Sequence, residues 1–275
     1  MTVQRSVFYS PNHIYNEVEK QVTIANENGE TIDYLTFVPD GEPTLDMNLE
    51  AEVRLLRGLG YPIAVLTNAS LLWQEDVRSA LGSTSLVSIK IDAMSESLWR
   101  RIDRPHGSLS HQVVLDGIEQ FAHTYDGTII TETMLLDGID YTDEMVQLSE
   151  FLNSMNVDKA YIAIPTRPPA LSWVRPAREE TLNHTFQSFS EALGPARVEF
   201  LIGYEGNAFA ASGDLEQDLL SITSVHPMRE DAVRVLVERS GSRWSEVNEL
   251  IQQEKLVQLD YEGESFFMRR LPSRE

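Results

Sequence analysis

The 275-residue chain contains no cysteine. Disulfides and thiolate-held metals are therefore excluded for these residues. Lysine is scarce as well, confined to Lys20, Lys90, Lys159 and Lys255, so arginine carries most of the positive charge. Acidic residues number 43 against 22 basic ones, which gives a formal charge of −21. A field of that sign repels phosphate and disfavours non-specific nucleic-acid binding, DNA above all, while leaving room for a local basic groove. Solubility, or life in a salty cytoplasm, accounts for it more simply than an acidic partner does. No apolar run approaches the length of a membrane span, and Met1 to Arg5 is polar with no apolar leader core behind it. The expectation is a cytoplasmic protein with no membrane partner. Glycine-rich phosphate loops, nucleophile elbows and His-Glu-x-x-His patterns are missing. The six histidines (His13, His106, His111, His123, His184, His226) show no metal-ligand spacing.

What remains is an alternation of strand-like and helix-like segments. Pro11 to Val22 has helical spacing in Ile14, Val18 and Val22, with Asn12 as a candidate cap. Tyr34 to Val38 reads as a buried strand, rich in aromatic and β-branched residues, and stops at Pro39-Asp40-Gly41-Glu42-Pro43. Met47 to Leu59 then suits a helix, Ile63 to Thr67 a strand, Glu75 to Leu81 a helix and Leu86 to Ile91 a strand. Helices over Glu96 to Ile102 and His111 to His123 precede a strand at Thr128 to Leu136. A helix from Thr142, its candidate N-cap, leads to strand Ala160 to Ile164, helix Arg178 to Leu193 and strand Val198 to Ile202. Such repeats read as βαβ units, hence a parallel sheet or barrel over residues 1–205. Gly206 to Gly213 reads as a linker into a tail of residues 206–275. The tail reads as three helices and a hairpin around Glu262-Gly263-Glu264, a small winged-helix-like module.

In parallel α/β folds chemistry gathers at the carboxyl ends of the strands. Those ends carry Gly41, Glu42 and Pro43, then Asn68, then Asp92, then Arg167. Glu42 reads either as a partner for a ligand ammonium or as a carboxylate at a helix N-terminus. Asn68 reads as a ligand contact or a turn residue. Lys90 and Asp92 share one face of a strand, as a grip on polar ligand groups or as a structural ion pair. Glu132 and Met134 share a face too. Arg167, stiffened by Pro168-Pro169, suits a carboxylate or phosphate, or a surface ion pair.

Tyr34 to Leu45, Leu66-Thr67-Asn68, Ser88 to Ala93, Thr131 to Met134, Thr166 to Pro169 and Ser224 to Arg229 together resemble, in order, the radical-SAM superfamily. The subfamily is that of proteins similar to wyosine-base enzymes and glycyl-radical activases. Asp40 stands where its Gly-Gly-Glu-Pro-type motif has the first glycine. The resemblance implies a partial (β/α) barrel that binds S-adenosylmethionine through Gly41, Glu42, Pro43, Asn68, Lys90, Asp92, Glu132 and Arg167. It implies a [4Fe–4S] cluster held by three cysteines after a first strand, and a small-molecule or RNA substrate. This chain has no such cysteines, and its Gln4 to Pro11 resembles the stretch that follows the cluster loop. Two explanations arise: an internal methionine standing as the start of a longer enzyme, which is preferred, or a genuine cluster-less relative. The accompanying expectations are a truncated or inactive radical-SAM enzyme, or a non-catalytic binding scaffold with a partner-binding tail.

Overall fold

The computed structural model describes residues 2–38, 41–201, 213–225, 227–261 and 263–270. They divide into two compact units: Met1–Ile164 with Pro176–Leu201, and Pro165–Arg175 with Ile202–Glu275. The boundary expected at residues 205 and 206, with most of the linker, lies outside the described residues.

The first unit runs α1 (Pro11–Glu27), β1 (Leu35–Phe37), α2 (Leu49–Leu56), β2 (Ile63–Thr67), α3 (Glu75–Leu81), β3 (Leu86–Lys90), α4 (Glu96–Ile102), α5 (His111–Thr124), β4 (Thr128–Met134), α6 (Thr142–Ser154), β5 (Lys159–Ala163), α7 (Glu179–Leu193) and β6 (Val198–Leu201). Helix α1 is capped by Ser10, whose side chain accepts from the His13 N–H, and not by Asn12. The cap sits there because Pro11 fits the first helical turn, where no N–H is needed. The residue before α6 is Tyr141, and Thr142 is already helical. Asp140 accepts from both the N–H and the hydroxyl of Thr142, so it serves the helix start that was assigned to Thr142.

All six strands pair in parallel, in chain order β1-β2-β3-β4-β5-β6. Strands added in one direction through crossovers of one hand carry their helices on one face. Burial along β3 and β4 follows that logic. Val87, Ile89, Ile129, Thr131 and Thr133 are buried, while Ser88, Lys90, Ile130, Glu132 and Met134 between them are half-open. The buried set joins Val53, Leu72, Leu81, Phe121, Leu148 and Phe189 in one core between sheet and helices. The other face keeps its polar side chains. Across it the register aligns Lys90 with Glu132, Glu132 with Tyr161, and Tyr161 with Glu199.

The second unit contains α8 (Leu215–Val225), β7 (Met228–Arg229), α9 (Glu230–Arg239), α10 (Trp244–Gln252), β8 (Leu256–Tyr261) and β9 (Glu264–Arg269). Its three-stranded sheet has the order β7-β9-β8 and is antiparallel. Leu219, Met228, Val233, Leu236, Val247 and Phe267 form its separate core.

Candidate functional site

The chain leaves β1 through Gly41, whose φ of +139° is a backbone that side-chain-bearing residues rarely adopt. Glu42 follows, extended and buried, and caps the short 3₁₀ turn Pro43–Leu45. Its carboxylate is fully engaged by the protein. One oxygen accepts from the Thr44 N–H at 3.1 Å, the Thr44 hydroxyl at 2.7 Å and the Thr67 hydroxyl at 2.6 Å. The other accepts from the Asn68 N–H at 2.8 Å. Glu42 therefore ties the end of β1 to the end of β2. Of its two sequence readings, this geometry gives the capping one. Asn68 is exposed, and its side-chain oxygen accepts from the Ser70 N–H at 3.0 Å, closing a turn in which Ala69 is left-handed. Arg5 braces the 3₁₀ turn that follows Glu42. Its guanidinium donates to the carbonyls of Thr44 and Asp46, each at 2.9 Å, and to the Asp76 carboxylate.

The second group lies at the ends of β3 and β4. The Lys90 ammonium stands 3.1 Å from Asp92 and 3.4 Å from Glu132. About a third of the Lys90 and Glu132 side chains is open (32% and 31%), whereas the Asp92 side chain is sealed. Asp92 also accepts from the Met134 N–H at 2.7 Å, so it bridges β4 from below the ion pair. Burial works against the Lys90 ammonium, but Asp92, Glu132 and Asp103 outweigh it and hold its pKa above the ordinary lysine value. Asp103, just past α4, was not singled out from the sequence. Nothing in the local pattern marks it, because only the fold brings it to Asp92. Burial first, then the charge and hydrogen bond of Asp92, raise its pKa to about 9, with Lys90 pulling the other way.

Neighbouring groups fix these loops. Glu144 of α6 accepts from the N–H groups of Met94 and Ser95 and so anchors the loop after Asp92. His111 Nε2 lies 3.2 Å from the Ala93 carbonyl, and its ring stacks on Trp99 at 4.8 Å. Lys90, Asp92 and Glu132 are thus brought together, and Glu42 is joined to Asn68. Arg167 falls in Pro165–Arg175, which belongs to the other unit. Among the described residues no three His, Cys, Asp or Glu side chains stand where they could hold a metal, and no helix is long and apolar enough to cross a membrane. An iron–sulfur cluster does not fit the donors of this chain: soft thiolates are required, and there are none.

A sequential parallel sheet with a helix-covered face and a polar face, its ionic groups at the carboxyl ends, defines an α/β protein of the (β/α)-barrel kind. That fold is shared with radical-SAM enzymes. A radical SAM methyltransferase from Sphaerobacter thermophilus superposes with a TM-score of 0.55 at 17% identity, over 72% of this chain and 59% of that one. Streptococcus suis SuiB, in a structure bound to S-adenosylmethionine, superposes with a TM-score of 0.54 at 11% identity, over 74% of this chain and 45% of that one. A UPF0026 protein of Methanocaldococcus jannaschii is 42% identical over 275 residues, covering 100% of this chain and 85% of its own. The chain belongs to the UPF0026 family. No family model matches it.

Proposed function

We propose that the chain binds S-adenosylmethionine at the carboxyl ends of its central strands, on the face of the sheet that carries Lys90 and Glu132, and does not cleave it reductively. The observation that carries this reading is the half-open Lys90–Glu132 pair seated on sealed Asp92, in a sheet of radical-SAM fold. An amino-acid-bearing ligand offers a carboxylate for Lys90 and a cation for Glu132, each a charge-assisted contact. The backbone around Gly41 and the side chain of Asn68 extend the same rim, while Glu42 shapes it from behind. Cluster chemistry is left out because the chain has no thiolate to hold the iron. Calorimetry with S-adenosylmethionine tests the reading. Saturable binding is expected, weakened about tenfold in Glu132→Gln by loss of one charge-assisted contact. Absence of binding at millimolar ligand overturns it.

The second unit is read as a winged-helix-like module that packs on protein. Its wiring, one helix, a short strand, two helices and a hairpin, supports the first part. The commitment of Arg229, Arg234 and Arg270 to local acids supports the second. A tRNA titration at low salt tests it.

A further inference from the structure

The open face of the sheet continues past the proposed ligand contacts. Register carries one row from Lys90 on β3 and Glu132 on β4 to Tyr161 on β5 and Glu199 on β6. Burial alternates along β5: Ala160 and Ile162 are buried in the core, while Lys159 and Tyr161 stay half-open. On β6 Val198 is buried and Glu199 is exposed, so the whole row shares the open face. Glu199 is paired with Lys159, and the two side chains are 49% and 32% open.

The Tyr161 ring therefore stands between carboxylates on both neighbouring strands, each about 4.8 Å away at the backbone. Each carboxylate has a lysine, Lys90 for Glu132 and Lys159 for Glu199. Both pairs are partly open to solvent, where an ion pair is weak and its partners exchange readily. An aromatic face with a carboxylate on either side offers a cation negative potential from three directions. The charge of −21 on the chain adds a long-range attraction of the same sign.

The ring decides which cation. A primary ammonium is best met by a carboxylate, because its N–H groups make charge-assisted hydrogen bonds. A sulfonium has no N–H to donate, and an aromatic face suits it as it suits a quaternary ammonium. In S-adenosylmethionine the sulfur lies two methylenes from the α-carbon, a reach comparable to the strand spacing of about 4.8 Å. With the ligand carboxylate on Lys90 and its ammonium on Glu132, Tyr161 stands one strand further along the row.

We infer that Tyr161, flanked by Glu132 and Glu199, holds the sulfonium of the ligand and makes the site select a sulfonium over a neutral thioether. This role rests on the proposed ligand site and deepens it. Lys90 and Glu132 meet groups that S-adenosylmethionine shares with S-adenosylhomocysteine, so they do not tell the two apart. The compounds differ only at sulfur, which is methylated and charged in the first and neutral in the second.

Calorimetry of the full chain with each compound tests this. The parent is expected to prefer S-adenosylmethionine about tenfold, in the range for a partly desolvated cation over an aromatic ring. Tyr161→Phe retains the ring and should retain most of the preference. Tyr161→Leu should abolish it by weakening S-adenosylmethionine alone. Glu199→Gln should reduce it about twofold, as loss of a half-exposed charge does. Equal affinities in the parent overturn the role of Tyr161 and leave the ligand reading standing. A preference that survives in Tyr161→Leu overturns it too, as does an equal loss of both compounds in that variant, the mark of a merely structural residue. If neither compound binds the parent, the ligand reading falls and the role of Tyr161 falls with it.

Discussion

Glu42 is a buried carboxylate that holds the end of one strand to the end of the next. A glycine-glutamate-proline turn at a strand end reads as a ligand-facing carboxylate, because exposed strand ends are where ligands bind. The partners that claim it, Thr44 and Thr67, are ordinary in sequence and 23 positions apart. Only strand pairing brings Thr67 to it. A buried anion accepting four hydrogen bonds is costly to delete, because it leaves two hydroxyls and two N–H groups short of an acceptor. Glu42→Ala is expected to lower unfolding free energy by about 2–4 kcal/mol, in the range for breaking buried charged networks. Chemical denaturation measures it, and a loss below about 0.5 kcal/mol, typical of surface changes, contradicts the strand-tying role. Lys90, Asp92 and Glu132 were more legible. Alternation along a strand puts Lys90 and Asp92 on one side, and the register adds Glu132 opposite Lys90. Asp103 was not legible, since a helix-end aspartate reads as a surface residue.

At the scale of elements the alternation of strand and helix is plain in the sequence, because the sheet's helix-covered side demands apolar residues wherever a strand runs. Six strands, read as a parallel sheet or barrel, follow from that pattern alone, while their order across the sheet comes from the pairing. What escapes is what depends on distant pairing. Strand β7 is two residues long and exists through Phe266 and Phe267 on β9, so no local pattern announces it. Helix α5 holds a second non-local feature, Gly117. A Cβ there would lie 2.4 Å from the Trp73 N and 2.6 Å from its Cα. Glycine inside a helix ordinarily weakens it, and here it lets α5 press against the backbone after Leu72. Gly117→Ala should destabilise by about 1–3 kcal/mol despite better helix propensity, as overpacking does. A thermal midpoint unchanged or raised in Gly117→Ala would show that the two segments are free to separate.

At the scale of the molecule the charge of −21 is the dominant fact, and the second unit shows how it is distributed. Arginines at Arg229, Arg234, Arg239, Arg243, Arg269 and Arg270 resemble a basic face when read along the chain. Arg274, the last of that set, lies outside the described residues. In the fold Arg229 pairs with Asp231 and Glu264, Arg234 with Glu230, and Arg270 with Glu254. Arg234 also lies over the Trp244 ring at 4.3 Å, and Lys255 is paired with Glu216. Phosphate binding would have to break several of these pairs against a repulsive long-range field. Nucleic-acid affinity grows as counterions are released, so it is greatest at low salt, where the repulsion is greatest too. The two effects oppose each other, and with 43 acids against 22 bases the repulsion prevails. Labelled tRNA titrated with the protein at low salt should therefore show no retention. Retention that weakens steeply as salt is added would mean that the pairs open, and that the module binds RNA in place of protein.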